Sequence, residues 1–487
     1  MSTVTAVGEG AVIATVVVLY FAVVGGIAYA ASRRGTGDAE DYFLGGRSAK
    51  TLVLFMALLG TNVTPFVLMG IPGLAYHHGV GVFGLNAAIV ALGIPLTFWA
   101  IGYPAWRAAR ALKAVTPAEL YARRLRSPAL GVVLFVAFVV YTLPYLVASV
   151  TGVGVAVSVL TGDAVTLETA ALGLLGVTLV YTALGGMRAT MWTNVFQGTV
   201  FVGFVLLAFV GVAQHLGGFE AITARVAAEA PSLLSRGDRP LFETGAWASW
   251  GVAISLTVIA FPHMLVRIFA ASDVSALRNT CRLYPAALVL LWLPVVLLGV
   301  WGAVAIPGLA GRESDGIFVL LVQDAFGPWL EGLCLAGVLA AVMSTVDAQF
   351  LTLSSMLARD VLLRLRPDLS PAAQVRAGRV FVVAVAVLTA ALVISRPASI
   401  FSIASLSFSG YVMLVPTLYL GLRGRSFTAQ GAITSIVLGN AVLLLAWVQP
   451  APWLGILPVG WGLGAAVLGA WLGSCWGEPS PDGPVEV

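Results

Sequence analysis

Charge is what this sequence has least of. Asp, Glu, Lys and Arg make up 10% of its 487 residues against 59% hydrophobic residues, and the mean hydropathy is +0.98. A soluble domain carries about 25% charged residues, so this composition excludes one and reads as a polytopic membrane protein. Cysteine is nearly absent. Cys281, Cys334 and Cys475 are odd in number, scattered, and in or beside apolar runs, which excludes a disulfide framework or a zinc site and leaves them as small core residues. The four histidines, His77, His78, His215 and His263, assemble no metal or acid–base constellation, so enzyme chemistry has no support. No Gly-Lys-Ser/Thr phosphate loop occurs, which argues against an ATP-driven pump. The net charge of +4 comes from basic residues spread through short loops, so nucleic acid is not an expected partner.

Long apolar runs are what the sequence has instead. Stretches able to cross about 30 Å of hydrocarbon fall near 11–31, 51–77, 82–106, 129–160, 166–187, 191–214, 246–265, 284–306, 326–357, 377–395, 400–422, 429–448 and 453–475. The expected fold is therefore all-α, with about thirteen transmembrane helices. The first run is not a secretory leader: Glu9 precedes it, no Lys or Arg does, and Arg33 and Arg34 follow it. With the N-terminus outside and the C-terminus cytoplasmic, twenty-one basic residues, Arg267 among them, fall in inner connections and five in outer ones. That asymmetry obeys the positive-inside rule and predicts a multi-pass protein of the cell membrane, in contact with lipid. The outer connections 215–245 and 307–325 read as solvated loops in preference to gates. The tail after Trp476 is short, acidic and proline-rich, so no appended soluble domain is expected.

Two runs are interrupted. Gly60-Thr61-Asn62-Val63-Thr64-Pro65 puts a glycine, three polar side chains and a proline in the middle of the second run. Proline lacks an amide hydrogen and clashes with the preceding turn, so carbonyls near Gly60 to Val63 are freed to bind a cation. Five spans later, Ser255, Thr257, Phe261, Pro262 and His263 supply a second interruption. Breaks at matching positions in two halves point to an inverted-repeat transporter with its site near the bilayer midplane. Pairing spans two to six with seven to eleven gives a first repeat over 51–214, an external loop over 215–245 and a second repeat over 246–422. A leading helix and cytoplasmic loop over 1–50 precede them, and two trailing helices with a short tail over 423–487 follow.

The ninth run carries Ser344, Thr345 and Asp347 with no fixed positive charge beside them in the sequence. Polar groups at membrane depth mark an ion or substrate path. Hydroxyls and carbonyls without thiols or a histidine cluster suit a hard monovalent cation, and sodium is the first candidate.

Asp41-Tyr42-Phe43-Leu44-Gly45-Gly46-Arg47, Met69-Gly70-Ile71-Pro72-Gly73, Gly185-Gly186-Met187-Arg188, Trp192-Thr193-Asn194 with Gln197, Phe261-Pro262-His263 with Arg267, and Ser344-Thr345 continuing to Ser354-Ser355 and Arg359-Asp360 occur in that order. Together they resemble the solute:sodium symporter family over nearly the whole chain. The resemblance implies a LeuT-like core of two inverted five-helix repeats with one leading and two trailing helices. It implies sodium held by carbonyls of Gly60, Val63 and Ala341 and hydroxyls of Ser344 and Thr345. Positions 341, 344 and 345 do share one helical face. Some relatives carry aspartate where Asn62 and Asn194 stand, which bears on sodium affinity and on the ion pathway expected at Asn194 and Asp347. The solute is expected beside the ion, near Thr61, Asn62, Thr64 and Phe66, with Tyr141, Tyr145 and Ser255.

The resulting function is sodium-coupled import of a small organic solute by alternating access. Proline, pantothenate and short monocarboxylates lead the candidates. The alternative is proton coupling in the same fold, with His263 or Asp347 titrating. A channel or a transport-like sensor is a third class, and the sensor lacks an output domain.

Overall fold

The computed structural model of the chain describes residues 3–33, 39–395, 399–424, 426–448, 454–478 and 485. No β-strand forms among them; a single bridge joins Ala49 and Ala271. Apart from the short helices Ala39–Leu44 and Pro117–Arg124, the first half of the chain forms α1 (Thr3–Ser32), the bent pair α2 (Thr51–Asn62) and α3 (Phe66–His78), α4 (Gly81–Ala111), α5 (Pro128–Leu160), α6 (Leu167–Val180) and α7 (Gly186–His215). A second bent pair follows, α8 (Thr244–Ala260) and α9 (Pro262–Phe269), then α10 (Val274–Ala305), α11 (Pro328–Leu365), α12 (Pro371–Ile394), α13 (Ile400–Arg423), α14 (Ala429–Val448) and α15 (Pro458–Ser474). Among the described residues, nine helices are long and apolar enough to cross a membrane and the two bent pairs make eleven. The shorter helices α6 and α15 occupy the remaining two expected ranges. Arg34, Arg396 and Arg425, counted in the charge asymmetry, lie outside the described residues.

Both breaks fall where backbone chemistry requires them. After Asn62 the chain is extended at Val63 (φ −87°, ψ 103°), and α3 starts once the Thr64 hydroxyl accepts the Phe66 amide at 3.2 Å. Pro65 could not have continued the ladder. The two halves meet at 54°. Phe261 repeats the device in extended conformation (φ −64°, ψ 124°), with Pro262 opening α9 at 52° to α8. Each bent pair opens a set of five membrane helices.

α11 packs on α1, α2, α5 and α7, and nearly every residue from Gly332 to Met356 is buried. A helix apolar and buried on all sides is a core element, so its hydroxyls and carboxylate face protein. α14 and α15 pair with each other outside that core. The motif before α2 acts as a clasp: Arg47 donates to the Ala114 carbonyl at 3.0 Å and the Phe269 carbonyl at 3.4 Å, and the Ala49 amide donates to the Ala270 carbonyl at 3.0 Å. It thereby ties the entry of α2 to the exit of α9. Gly186, with φ +62°, turns the chain into α7, and a Cβ there would stand 2.9 Å from the Tyr42 ring.

The connection 307–325 is not the solvated loop expected, whereas 215–245 is mostly exposed, with Ile222, Val226, Leu233 and Phe242 buried within it. In 215–245, helix Phe219–Glu229 precedes a turn whose Leu233 carbonyl accepts the Val80 amide at 2.8 Å, and Arg239 donates to the His78 carbonyl at 2.8 Å. In 307–325, the turn Gly311–Gly316 and helix Ile317–Ala325 bury Ile317, Phe318 and Val322. Ser314 there lies 3.1 Å from His77, and buried Asp315 accepts the Ile400 amide at 3.0 Å. Apolar residues inside these segments need cover, and for the helix Ile317–Ala325 it comes from α3, α5, α7, α10 and α11. Of the cysteines, Cys334 is buried, Cys281 partly so, and Cys475 is exposed instead of core.

Candidate ion and solute site

The first break and α11 meet. The Ser344 hydroxyl lies 2.9 Å from the Gly60 carbonyl oxygen and 3.0 Å from that of Ala341. Thr345 Oγ1 lies 3.2 Å from the Thr61 carbonyl oxygen and 3.1 Å from that of Ala341. Two residues 284 positions away in sequence thus provide the partners that the interrupted ladder of α2 denies to its last carbonyls. Five neutral oxygens gather there without sulfur or imidazole, a donor set for a hard monovalent cation. Val63 is buried at the break, but the carbonyl facing Thr345 belongs to Thr61, a residue the sequence assigned to the solute. The Thr61 side chain turns away and donates to the Ala57 carbonyl at 2.5 Å.

One turn further along α11 the absence of positive charge fails. Arg267, expected in an inner loop, is fully buried, and its guanidinium stands 3.9 Å from the equally buried Asp347. It also donates to the carbonyls of Ala57 and, at 3.5 Å, Ser344. With the Asn194 amide oriented so that its oxygen faces Arg267, Asn194 accepts from the guanidinium at 2.5 and 2.7 Å and donates to Gln197 at 3.0 Å. Gln197 donates to Tyr20 of α1 at 3.0 Å. Asn194 and Asp347 are thus brought together by Arg267, directly behind the oxygen cluster. Hydropathy cannot distinguish this arginine from one in a loop. The available signal was its place five residues after Pro262, inside the second half of a broken helix.

A second region lies between the breaks. Asn62, Phe66 and Tyr145 line a small cavity with Thr257, Phe261, Trp292 and Phe408, whose accessible space is about 20 Å³, the room of about one water. The Asn62 amide nitrogen is buried without a partner. No charged side chain lines this space. Tyr145 stacks on Phe261 at 5.0 Å, and Phe261 on His263 at 5.2 Å. The His263 ring is buried with neither nitrogen bonded. The other solute candidates go elsewhere. Thr64 caps α3, Ser255 donates to the Gly251 carbonyl at 2.8 Å, and the Tyr141 hydroxyl donates to Asn440 of α14. Tyr141 and Tyr145, both expected beside the solute, therefore separate. Thr257, Trp292 and Phe408 were missed; Thr257 was visible beside the second break, the other two carried no local signal.

Residues 42–439 match the description of the sodium:solute symporter family. The sodium/pantothenate symporter of Escherichia coli is 29% identical, with 96% of this chain and 97% of that protein covered. The high-affinity proline transporter PutP of Bacillus subtilis is 27% identical over 86% and 89% respectively. A sodium-coupled sialic acid symporter solved in a substrate-bound outward-open state superimposes with a TM-score of 0.82 at 17% identity, covering 96% of this chain and 98% of that one. A nucleobase-cation-symport-1 transporter in a closed conformation gives 0.58 at 15% identity over 89% and 93%. These likenesses carry the LeuT-like fold, and the family match covers more than half of the chain. The chain belongs to the sodium:solute symporter family, whose members are transporters and not enzymes.

Proposed function

We propose that this symporter drives a small carboxylate-bearing solute into the cell with sodium, by alternating access. The observation that carries the reading is the approach of Ser344 and Thr345 to the carbonyls of Gly60 and Thr61 at the first break. Sodium at that junction, held also by the Ala341 carbonyl, would link α2 and α3 to α11. The repeats run over 51–214 and 246–422, with the N-terminus outside the cell membrane and the C-terminus inside. The relatives named for pantothenate and proline share one chemical feature, a carboxylate. The cavity offers that group no cationic side chain, only the Asn62 amide, the Thr257 hydroxyl and aromatic walls. The adjacent sodium supplies the counter-charge, which makes ion and solute binding mutually dependent. Entry requires the walls to part. One charge crossing 100 mV yields about 2.3 kcal/mol, enough for roughly fifty-fold accumulation of a neutral solute.

Uptake into proteoliposomes tests this, with proline, pantothenate, acetate, pyruvate and glucose offered under an imposed sodium or proton gradient. Accumulation of a carboxylate under sodium alone is expected. A second reading, proton coupling, is favoured by the unbonded His263 ring beside the cavity. Accumulation under a proton gradient and none under sodium would establish it instead.

A further inference from the structure

Four arginines converge at the end of α11 that lies beyond Ser344 and Thr345. Arg123, from the short helix Pro117–Arg124, Arg126 from the turn after it, and Arg359 and Arg364 from the last turns of α11 line a cavity of about 700 Å³ with Glu119 and Pro128. Among the described residues around the cavity, carboxylates do not balance their charge. Glu119 serves both Arg123, at 2.5 Å, and Arg359, at 2.8 Å. Behind the wall, buried Asp360 accepts the Thr116 hydroxyl at 2.8 Å. Counting both carboxylates still leaves two positive charges in excess. Arg364 donates to the Pro128 carbonyl. Arg126 is exposed, and its backbone holds a left-handed φ of +48°, a conformation costly for a side chain of this kind.

We propose that this cavity binds the phosphate of an anionic phospholipid. Guanidiniums recognise phosphate oxygens in paired geometry, and basic pockets between membrane helices hold such headgroups. The apolar surface beside the cavity selects a lipid over a soluble phosphate. Pro128 lines the cavity and opens α5, and Val132, Val136 and Val140 follow on successive turns of that helix, 45%, 52% and 52% exposed. This strip leads from the arginines into the hydrocarbon, where acyl chains would lie. Leu365, next to Arg364 in sequence, is 74% exposed. The site also reaches the transport machinery, because Arg359 and Arg364 belong to the helix that carries Ser344 and Thr345. A bound headgroup therefore braces α11 against α5 and the helix Pro117–Arg124. The lipid site itself does not depend on which ion is coupled.

The test uses the purified full chain in detergent, titrated with phosphatidylglycerol or phosphatidylcholine and read by native mass spectrometry. Phosphatidylglycerol is expected to be retained preferentially, and Arg126→Gln to weaken that retention about fivefold, with a similar further loss in Arg126→Gln/Arg364→Gln. The Arg126 side chain has no bonded partner among the described residues, so the single variant reports on binding and not on folding. Equal retention of the two lipids would overturn the proposal, as would unchanged retention in the double variant. Displacement of phosphatidylglycerol by inorganic phosphate would assign the cavity to a soluble anion and overturn the lipid assignment.

Discussion

The two broken helices use one backbone device for different ends. Each ends its first half in an extended residue, and the bends of 54° and 52° are nearly equal. At the first break the freed carbonyls meet two alcohols of α11 and form a neutral oxygen cluster. At the second break the chain presents aromatic rings, an unbonded imidazole and, one turn and a half later, a buried guanidinium. Proline and an extended residue thus open a helix, but its partners decide what the opening holds. Oxygens from a neighbouring helix make an ion site, whereas rings and a fixed cation make a wall and a counter-charge.

Removing that fixed charge should separate the two regions most drastically. Arg267→Met leaves Asp347 buried and unpaired, at a cost of about 3–5 kcal/mol, and should sharply reduce the yield of folded protein in a detergent melting assay. Arg267→Met/Asp347→Leu should recover most of it. No recovery would mean that Arg267 acts through the carbonyls of Ala57 and Ser344 instead of through Asp347.

The first break should be the more sensitive to crowding. A Cβ at Gly152 of α5 would overlap the Pro65 ring, so Gly152→Val should cost about 1–3 kcal/mol and impair uptake even where the protein folds. Normal uptake by that variant would show that the break is free to shift.

In the connection 307–325 the comparison concerns pH. Burial pushes the Asp315 carboxyl up to about 6 from an ordinary 3.8, partly offset by the Ile400 amide and by Arg312. The packed arrangement therefore holds its proton more tightly than an opened one. Closure is strongest below the ordinary value and weakens as pH rises through about 6. Cysteine-labelling rates at the start of α13, next to Ile400, should rise over that interval, and Asp315→Asn should remove the dependence. The smallest effect is expected at Ser255, which bonds within its own helix: Ser255→Ala should leave solute half-saturation within about twofold, whereas Asn62→Ala should raise it further.

The breaks and the all-α, many-span architecture were legible because proline and hydropathy act locally, whereas the meeting of Ser344 with Gly60, 284 residues away, came only with the family resemblance, and the partner of Thr345 is Thr61. Arg267 was not legible, because a positive residue at the end of an apolar run looks the same whether it meets water or a buried carboxylate. Tyr141 and Tyr145 show a similar limit. Spacing of four places phenols near one face, yet the neighbours α14 and α9 draw the two rings apart, and those neighbours come from distant sequence. The connection 307–325 was misread because its length and charge concealed the buried stretch Ile317–Val322.

The account stands on sodium at the junction of the first break with α11, and the sodium concentration giving half-maximal solute uptake in proteoliposomes measures it most directly. Ser344→Ala and Thr345→Ala should each raise that concentration about tenfold, the loss of one ligand worth about 1.4 kcal/mol, with the amount of folded protein unchanged. An unaltered sodium dependence in both variants would contradict it.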